Sequence, residues 1–335
     1  MTSRHIIFAG LLTAAILLLS GCSRDDASEM KTGNNGPEQQ KREIRVNTNV
    51  TSMLTRANTI DNNELQGQNL KIDAYYNGTN EKYLDGTKLH YDASAWKFWN
   101  GSAQLHYYWP ITGSTVTIAG NPTTASTLDF VGFCPYEKPE YIGTPTYAPA
   151  TGVSFTCNMS NYMTLAQQTS MQEFLVSMLP SQTLATQTDA GGALPMVFKH
   201  PFALIKFTIT AASGTHVQIN SISISDLKTS GTCTYDGSTM TWGSYSGSAT
   251  MTIAQVLKNG TATTETTPFV VIPNDYDPMF LTVNATWDDW SNPVTISNYG
   301  TDVSFNWEAG HSYTYNLTLD EYGLKVDISK FTEQW

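Results

Sequence analysis

Short runs of alternating apolar and polar residues recur along the chain, and the clearest of them is residues 194–210. After Pro201, an apolar side chain stands at every second position, at Ala203, Ile205, Phe207 and Ile209. A period of two is typical of a strand that buries one face. Proline suits the beginning of such a strand because it lacks a backbone N–H. The pattern therefore predicts a strand in the middle of the fold, with these four side chains in the core.

Similar alternation predicts further strands on both sides of this run. Leu128–Cys134 is apolar except for Asp129, which is typical of a central strand covered on both faces. The alternation slips by one residue between Ile219 and Ile222, and such a slip indicates a β-bulge. Residues 160–170 are ambiguous, because Tyr162, Leu165 and Ala166 fit one side of a short helix that the threonines and glutamines around them disfavour. The other predicted strands are residues 43–50, 70–76, 88–91, 96–99, 105–109, 173–179, 217–224, 232–242, 269–272, 279–287, 313–319 and 324–328.

Many short strands with few helices predict an all-β fold of packed antiparallel sheets. The 335 residues are too many for one ordinary sandwich and fit two in tandem. We place the boundary at the central run, so that an N-terminal β-sandwich domain covers residues 44–200 and a C-terminal one covers residues 201–335. The linking strand itself can belong to either sheet.

The chain begins with a leader that does not belong to the fold. Its mostly apolar residues 6–19 are fewer than the ~20 that a membrane-spanning helix needs. Leu19-Ser20-Gly21-Cys22 is similar to a bacterial lipobox, in which the cysteine becomes acylated and N-terminal. We therefore predict a lipoprotein signal peptide over residues 1–21, a lipid anchor on Cys22 and a flexible acidic tether over residues 22–43. The alternative is an ordinary secretory leader that ends near a cysteine.

Composition and charge narrow the class of partner. Charged residues make up only 14% of the chain, against about 25% in a typical soluble domain. The formal net charge is −11. Nucleic-acid binding needs a basic surface, so we expect no nucleic-acid partner.

Metal and catalytic sites are not predicted. The histidines beyond the leader are scattered and are interpreted as structural side chains, namely His90, His106, His200, His216 and His311. Four aspartates carry the oxygen ligands that calcium prefers but lack EF-hand spacing, so a solvated loop is favoured for Asp275, Asp277, Asp288 and Asp289. Common nucleophile, zinc and phosphate-loop motifs are absent from the sequence. We therefore expect no enzymatic activity, no metal and no cofactor.

Two further sets of residues are interpreted mainly as core. Besides Cys22, three widely spaced cysteines lack zinc spacing and are expected to be small buried side chains, with at least one unpaired thiol: Cys134, Cys157 and Cys233. A row of tryptophans can bind a sugar or a protein partner. The row Trp96, Trp99 and Trp109 does not share one face, because on a strand Trp99 points away from Trp96 and Phe98. Core packing is therefore favoured for at least part of this set.

Several short motifs occur in order along the chain. They are the lipobox at Cys22, Thr55-Arg56-Ala57, Tyr108-Trp109-Pro110, Phe130-Val131-Gly132-Phe133-Cys134-Pro135-Tyr136, Phe198-Lys199-His200, Val271-Ile272-Pro273 and Trp307-Glu308-Ala309-Gly310-His311-Ser312-Tyr313-Thr314-Tyr315. Together these motifs resemble those of the fimbrillin family of Bacteroidetes. The acidic residues Asp25, Asp26 and Glu29 after Cys22 also resemble the surface-export signal of lipoproteins from these bacteria.

This resemblance implies a structural subunit of a cell-surface fimbria, whether stalk, tip or accessory, built from two transthyretin-like β-sandwiches. Such subunits reach the outer membrane as lipoproteins and join other fimbrial subunits, of their own kind or another, by strand donation. Their maturation site is the arginine of the Thr-Arg-Ala motif, which is here Arg56-Ala57. The chain departs from stalk subunits in its short end after residues 324–331. An adhesive ligand on a host or bacterial surface is left open.

The distribution of arginine also favours cleavage at this site. All five arginines lie within the first 56 residues, whereas lysines continue beyond them. A chain that must survive an arginine-specific protease would have this distribution. Cleavage after Arg56 would release lipid-bearing Cys22 together with the first predicted strand. The exposed edge would then accept a strand from another subunit.

Two other functions are weighed against the fimbrial subunit. The first is a surface-anchored lipoprotein that binds carbohydrate or protein and does not polymerise. The second is an enzyme of unrecognised type, which the lack of a catalytic motif disfavours.

Overall fold

A computed structural model describes residues 42–50, 60–110, 115–118, 121–124, 126–211, 217–254, 257–259, 264–276, 281–287, 294–298, 305–320 and 323–334. The predicted signal peptide, Cys22 and the cleavage site Arg56-Ala57 lie outside these residues. His216, Asp277, Asp288 and Asp289 also lie outside them.

Twenty-four strands and three short helices make up the described part of the chain. The helices are α1 (Asn62–Gln66), α2 (Leu165–Ser170) and α3 (Leu184–Asp189). The strands up to the middle of the chain are β1 (Val46–Val50), β2 (Asn69–Tyr76), β3 (Lys82–Asp92), β4 (Ala95–Trp99), β5 (Gln104–Leu105), β6 (Thr115–Ile118), β7 (Asn121–Thr124), β8 (Leu128–Cys134), β9 (Thr146–Ala148), β10 (Gly152–Asn158), β11 (Leu175–Gln182) and β12 (Leu194–Phe198). The later strands are β13 (Ala203–Ala211), β14 (Val217–Tyr235), β15 (Met240–Ile253), β16 (Leu257–Asn259), β17 (Thr264–Glu265), β18 (Phe269–Val271), β19 (Asp275–Tyr276), β20 (Leu281–Trp287), β21 (Val294–Asn298), β22 (Phe305–Asn306), β23 (His311–Asp320) and β24 (Gly323–Gln334).

A six-stranded antiparallel sheet, in the order β11-β8-β2-β3-β4-β5, organises the first half of the chain. Every residue of β8 is buried. Phe130 packs in the core on one face of this sheet, and Phe133 packs in a second cluster on the other face. The prediction of a central strand covered on both faces is therefore confirmed.

A seven-stranded sheet has β14 at its centre, where β10, β15, β16 and β20 all pair with it. Its register shifts between Ile219 and Ser221, at the predicted slip in the alternation. The bulge is therefore confirmed. Because β9 and β10 precede residue 200 and the other strands follow it, this sheet draws on both sides of the predicted domain boundary. The division into residues 44–200 and 201–335 stays a prediction.

The central run is divided between two sheets. Its first part, β12, pairs with β1, whereas β13 lies in a five-stranded sheet with β17, β18, β23 and β24. The predicted core residues Ala203, Ile205, Phe207 and Ile209 on β13 are all buried. The all-β fold class is confirmed, and its sheets are mostly antiparallel. The exceptions among the described strands are the parallel pairs β1–β12 and β13–β23.

Several predicted boundaries were wrong. Strand β11 continues through Pro180 to Gln182, where we expected it to end, and a register shift accommodates the change. The ambiguous stretch 160–170 contains the helix α2, which Thr164 caps through a hydrogen bond to the backbone N–H of Gln167. Helices α1 and α3 were not predicted, because their sequences are polar and each has only one buried side chain.

Candidate functional site

The first strand, β1, occupies a groove beside β12, and we call this groove the seat of β1. It pairs with β12 in parallel register, from Val46 opposite Leu194 to Val50 opposite Phe198. Just before the strand, the backbone N–H of Ile44 donates to the carbonyl of Tyr107 at 2.7 Å. Within the described residues, β12 is the only strand that pairs with β1. A single short ladder therefore holds the strand along most of its length.

A cavity of about 390 Å³ lies beside β1. Its lining includes Ile44 and Val46, and Trp96 and Phe98 of β4. Since β12 is the only described strand that pairs with β1, one edge of β1 has no strand partner among the described residues. Backbone groups on an unpaired edge are available to another chain.

The side chains of β1 alternate between core and solvent. Ile44, Val46 and Val50 are buried in the same cluster as Trp109 and Phe198. Asn47 and Asn49 are exposed. Each fully buried aliphatic side chain contributes roughly 1.5–3 kcal/mol. Apolar burial is therefore the main force that keeps the strand in place.

One polar atom of β1 opposes that force. The hydroxyl oxygen of Thr48 is buried and accepts or donates no hydrogen bond within the described part of the chain. A buried polar group without a partner costs free energy because it has lost its water. The strand is thus held less tightly than its apolar burial alone would allow.

Gln187 of α3 forms hydrogen bonds with the chain just before β1. Its side-chain Oε1 accepts hydrogen bonds from the backbone N–H of Arg45 and from Nε1 of Trp109, both at 3.0 Å. Its Nε2 donates to the carbonyl oxygen of Glu43 at 2.9 Å. One largely buried amide therefore fixes both the entering chain and the tryptophan beneath it.

The chain that follows the predicted cleavage site has an anchor of its own. The backbone N–H of Ile60 donates to Oε2 of Glu173, whose other oxygen lies 2.9 Å from Nδ1 of His200. Both side chains of this acid–histidine pair are buried. Asp61 then caps α1 in a capping box with Glu64. Residues from 60 onward therefore have anchors besides their contact with β1.

The scattered histidines have separate partners. His90 lies beside the side chain of Asn69, His106 beside Glu43, His200 beside Glu173, and His311 beside the carbonyl of Ala309. Asp275 is exposed on β19. Over the described ranges, no cluster of three or more His, Cys, Asp or Glu is placed to hold a metal ion. The same ranges contain no helix of the length and apolar character that would span a membrane.

The cysteines and two of the tryptophans are core residues, as expected. Cys134, Cys157 and Cys233 are buried, and none of them forms a disulfide. Burial raises the pKa of all three thiols, that of Cys233 to about 12. Trp96 and Trp109 are buried in the core beneath β1. Trp99 lies on the opposite face of its strand and is partly exposed.

Sequence reasoning found β1 and missed the residues that hold it. Gln187 lies between two predicted strands, where the sequence predicts no element, and Glu173 falls at the start of the predicted strand 173–179. The capping box of Asp61 and Glu64 was a usable signal for α1. The contact of Gln187 with Arg45 spans 142 residues, and no local signal predicts it.

Comparison with known proteins gives one family and several similar structures. The fimbrillin-like family matches residues 55–335. A fimbrial protein from Bacteroides vulgatus has a TM-score of 0.56 and 15% sequence identity, over 88% of this chain and 99% of that one. A candidate cell adhesion protein from Bacteroides uniformis has a TM-score of 0.51 and 18% identity, over 90% of this chain and 100% of that one. These structures share the fold. Among curated proteins, none matches the chain.

Proposed function

Because the chain belongs to the fimbrillin-like family, we propose that it is a structural subunit of a cell-surface fimbria. It reaches the outer membrane as a lipoprotein acylated at Cys22. Proteolytic removal of the first strand then allows it to join other subunits by strand exchange. The observation that carries this proposal is the way in which β1 is held. One short parallel ladder with β12 and the burial of a few apolar side chains keep it in place.

Removal of β1 would expose two features that another strand can use. The backbone edge of β12 would lose its partner, and unpaired edges accept strands from other chains. The pockets of Ile44, Val46 and Val50 would open along the same line. A donated strand with apolar residues at alternate positions satisfies both the backbone and the pockets.

The chain has an anchor of its own on the far side of the cleavage site. A cut at Arg56-Ala57 falls between Val50 and Ile60, and Ile60 stays hydrogen-bonded to Glu173. The hydrogen bond from the backbone N–H of Val50 to Oδ1 of Asn62 crosses the cut and is lost when β1 leaves. The mature chain keeps its hold on Glu173 and on α1. The absence of arginine after Arg56 protects the mature chain from the same protease.

The cleavage step is tested by comparing two arginine variants. Mass spectrometry of surface-assembled material should find an N-terminus at Ala57 in the wild type. Arg56→Ala should abolish both this terminus and the polymer. Arg45→Ala removes another arginine, whose side chain is 68% exposed, and should mature normally. Assembled material that still begins at Cys22, or normal polymers from Arg56→Ala, would contradict the mechanism and leave a permanently anchored subunit.

The lipid anchor is tested separately. A fatty-acid probe supplied to cells should label the wild-type chain and not Cys22→Ala. Equal labelling of the two chains would remove the anchor from the proposal without affecting strand exchange.

The second candidate function is a surface-anchored binding lipoprotein that never polymerises. The partly exposed Trp99, which the core does not use, favours it. Denaturant-resistant ladders on unheated gels separate the two candidates, because only the fimbrial subunit produces them.

A further inference from the structure

The outer face of the six-stranded sheet carries a cluster of side chains that lies away from β1. We name it the basic–aromatic strip, and it consists of Lys71 on β2, Lys88 and His90 on β3, Trp99 on β4 and Tyr136 after β8. All five side chains are partly exposed. Lys71 lies opposite Lys88 in the register of β2 and β3, and Lys88 lies opposite Trp99 in that of β3 and β4. The strip therefore runs straight across three neighbouring strands.

The strip lies on the face opposite the candidate assembly site. Leu70, Leu89 and Phe98 alternate with its members along the same strands and are buried in the core that contains β1. Successive side chains of a strand point to opposite faces. Filling or emptying the seat of β1 therefore leaves the strip in place.

Hydrogen bonds fix Tyr136 at one end of the strip. Its backbone N–H donates to the carbonyl of Asn69 at 2.7 Å, and its hydroxyl donates to the carbonyl of Gly86 at 3.1 Å. Nζ of Lys88 lies 4.7 Å from the centre of the tyrosine ring, a cation–π distance. The stem of Lys71 lies over Gly86, where a Cβ would approach its Cε to 3.3 Å. Lys88 therefore lies against Tyr136, and Lys71 lies against Gly86, to which Tyr136 is hydrogen-bonded.

Two aromatic rings form the other end. The His90 ring lies 6.0 Å from the Trp99 ring, at an angle of 44°. Nδ1 of His90 lies 3.1 Å from Oδ1 of Asn69, which holds the imidazole in position. The partly exposed indole of Trp99 is bordered by polar groups. Such a surface suits a partner that is apolar on one face and polar on the other. A sugar ring has this character.

The two lysines of the strip lack an acidic partner among the described residues. Within the described residues, neither Lys71 nor Lys88 has a carboxylate at salt-bridge distance, whereas Lys82 and Lys97 both do. Like charges directly opposite each other on adjacent strands are destabilising. This arrangement occurs in a chain whose net charge is −11. An anion placed between the two lysines would remove the repulsion.

We propose that the basic–aromatic strip binds a saccharide that carries carboxylate or sulfate groups. A sugar ring stacks on Trp99, and its anionic group lies between Lys71 and Lys88. This adhesive function goes beyond the proposed assembly and does not depend on it.

The test is a calorimetric titration of the uncleaved full chain with defined saccharides. Heparin fragments supply sulfate, hyaluronan fragments supply carboxylate, and dextran is the neutral comparison. Lys71→Gln with Lys88→Gln should weaken binding of an anionic saccharide by about tenfold or more, because two charge-assisted contacts are lost. Trp99→Ala should weaken it as well, and added salt should weaken it in the wild type.

The control removes the same charge from other sheets. Lys206→Gln with Lys228→Gln should leave the affinity unchanged. Both strip lysines are partly exposed, and thermal unfolding of the double variant at the wild-type temperature excludes loss of folding as the cause of its loss of binding. Equal weakening by both double variants, equal binding of dextran, or no saccharide binding would overturn the proposal. Binding only to phosphatidylserine vesicles would overturn it in favour of a membrane surface. None of these results bears on strand exchange, since the titrated chain is uncleaved and still contains β1.

Discussion

At the scale of single residues, Gln187 is the side chain on which the position of β1 most depends. Replacing it by Ala leaves the Arg45 N–H and the Trp109 Nε1 without their acceptor. Each buried donor that loses its partner costs about 1–3 kcal/mol. We expect Gln187→Ala to lower the free energy of unfolding by about 2 kcal/mol or more in denaturant titrations. Thr188→Ala, an exposed neighbour on the same helix, is the control and should change it little. If the free energy of unfolding of Gln187→Ala equals that of the wild type, the hydrogen bonds of Gln187 do not hold the strand.

A substitution at Thr48 should change the free energy of unfolding in the opposite direction. Its buried hydroxyl has no hydrogen-bond partner among the described residues. Thr48→Val keeps the shape of the side chain and removes the desolvated hydroxyl, so we expect the precursor to be more stable by about 1 kcal/mol. Thr48→Ser retains the hydroxyl and should gain nothing. Limited proteolysis of residues 42–50 measures how often the strand leaves. Cleavage of the Val variant at or above the wild-type rate would contradict the interpretation.

These two residues show why the sequence predicts only part of the site. The apolar positions of β1 were predictable, because a period of two can be recognised in the sequence alone. In the sequence, Gln187 and Thr48 look like solvated polar residues. They differ from such residues only because distant parts of the chain cover them in the fold. The parallel partner of β1 lies almost 150 residues away, and alternation does not encode partner choice. Polar atoms that are buried by distant chain are therefore visible only in the structure.

At the scale of an element, β13 is the strand that the sequence predicted best. Its side chains Ile205, Phe207 and Ile209 are buried, as the alternation required. The neighbours of β13 were less predictable, because it pairs with β23 in parallel and with β17 and β18 antiparallel. A regular apolar face fixes which side of a strand is buried, but several strands offer equally suitable edges.

The contribution of β13 to the fold is measurable at Phe207. Its ring packs 6.2 Å from that of Phe269 on β18 and 5.8 Å from that of Tyr315 on β23, measured between ring centres. Phe207→Ala should lower the free energy of unfolding by about 3–5 kcal/mol, because it empties a fully buried site. Lys206→Ala on the outward face of the same strand is the control and should cost about 0.5 kcal/mol or less. A loss below that limit for Phe207→Ala would mean that the register of β13 is wrong.

At the scale of the whole molecule, two surfaces face in opposite directions from one sheet. The core face of the six-stranded sheet receives β1, and the outer face carries the basic–aromatic strip. Assembly through one face leaves the other exposed in a polymer. A fimbria built in this way would repeat the strip along its length, and repeated weak sites bind more strongly than one. The proposed assembly and the proposed adhesion are therefore compatible in one chain.

The seat of β1 can be tested with the strand itself. A peptide of residues 43–50 carries the three apolar side chains that fill the seat, and Arg45→Lys in the peptide keeps an arginine-specific protease from cutting it. The Arg45 side chain is largely exposed, so this change leaves the buried face intact. When the full chain is cleaved in an excess of this peptide, we expect monomers, because the peptide re-forms the ladder with β12 before a second subunit does. The same peptide with Val46→Asp and Val50→Asp should not block assembly, since a buried carboxylate without a partner is strongly unfavourable. Light scattering follows the polymer in both reactions. Polymers that form equally with the two peptides would show that subunits join elsewhere, and a cleaved chain that stays monomeric without peptide would show that loss of β1 is not the trigger.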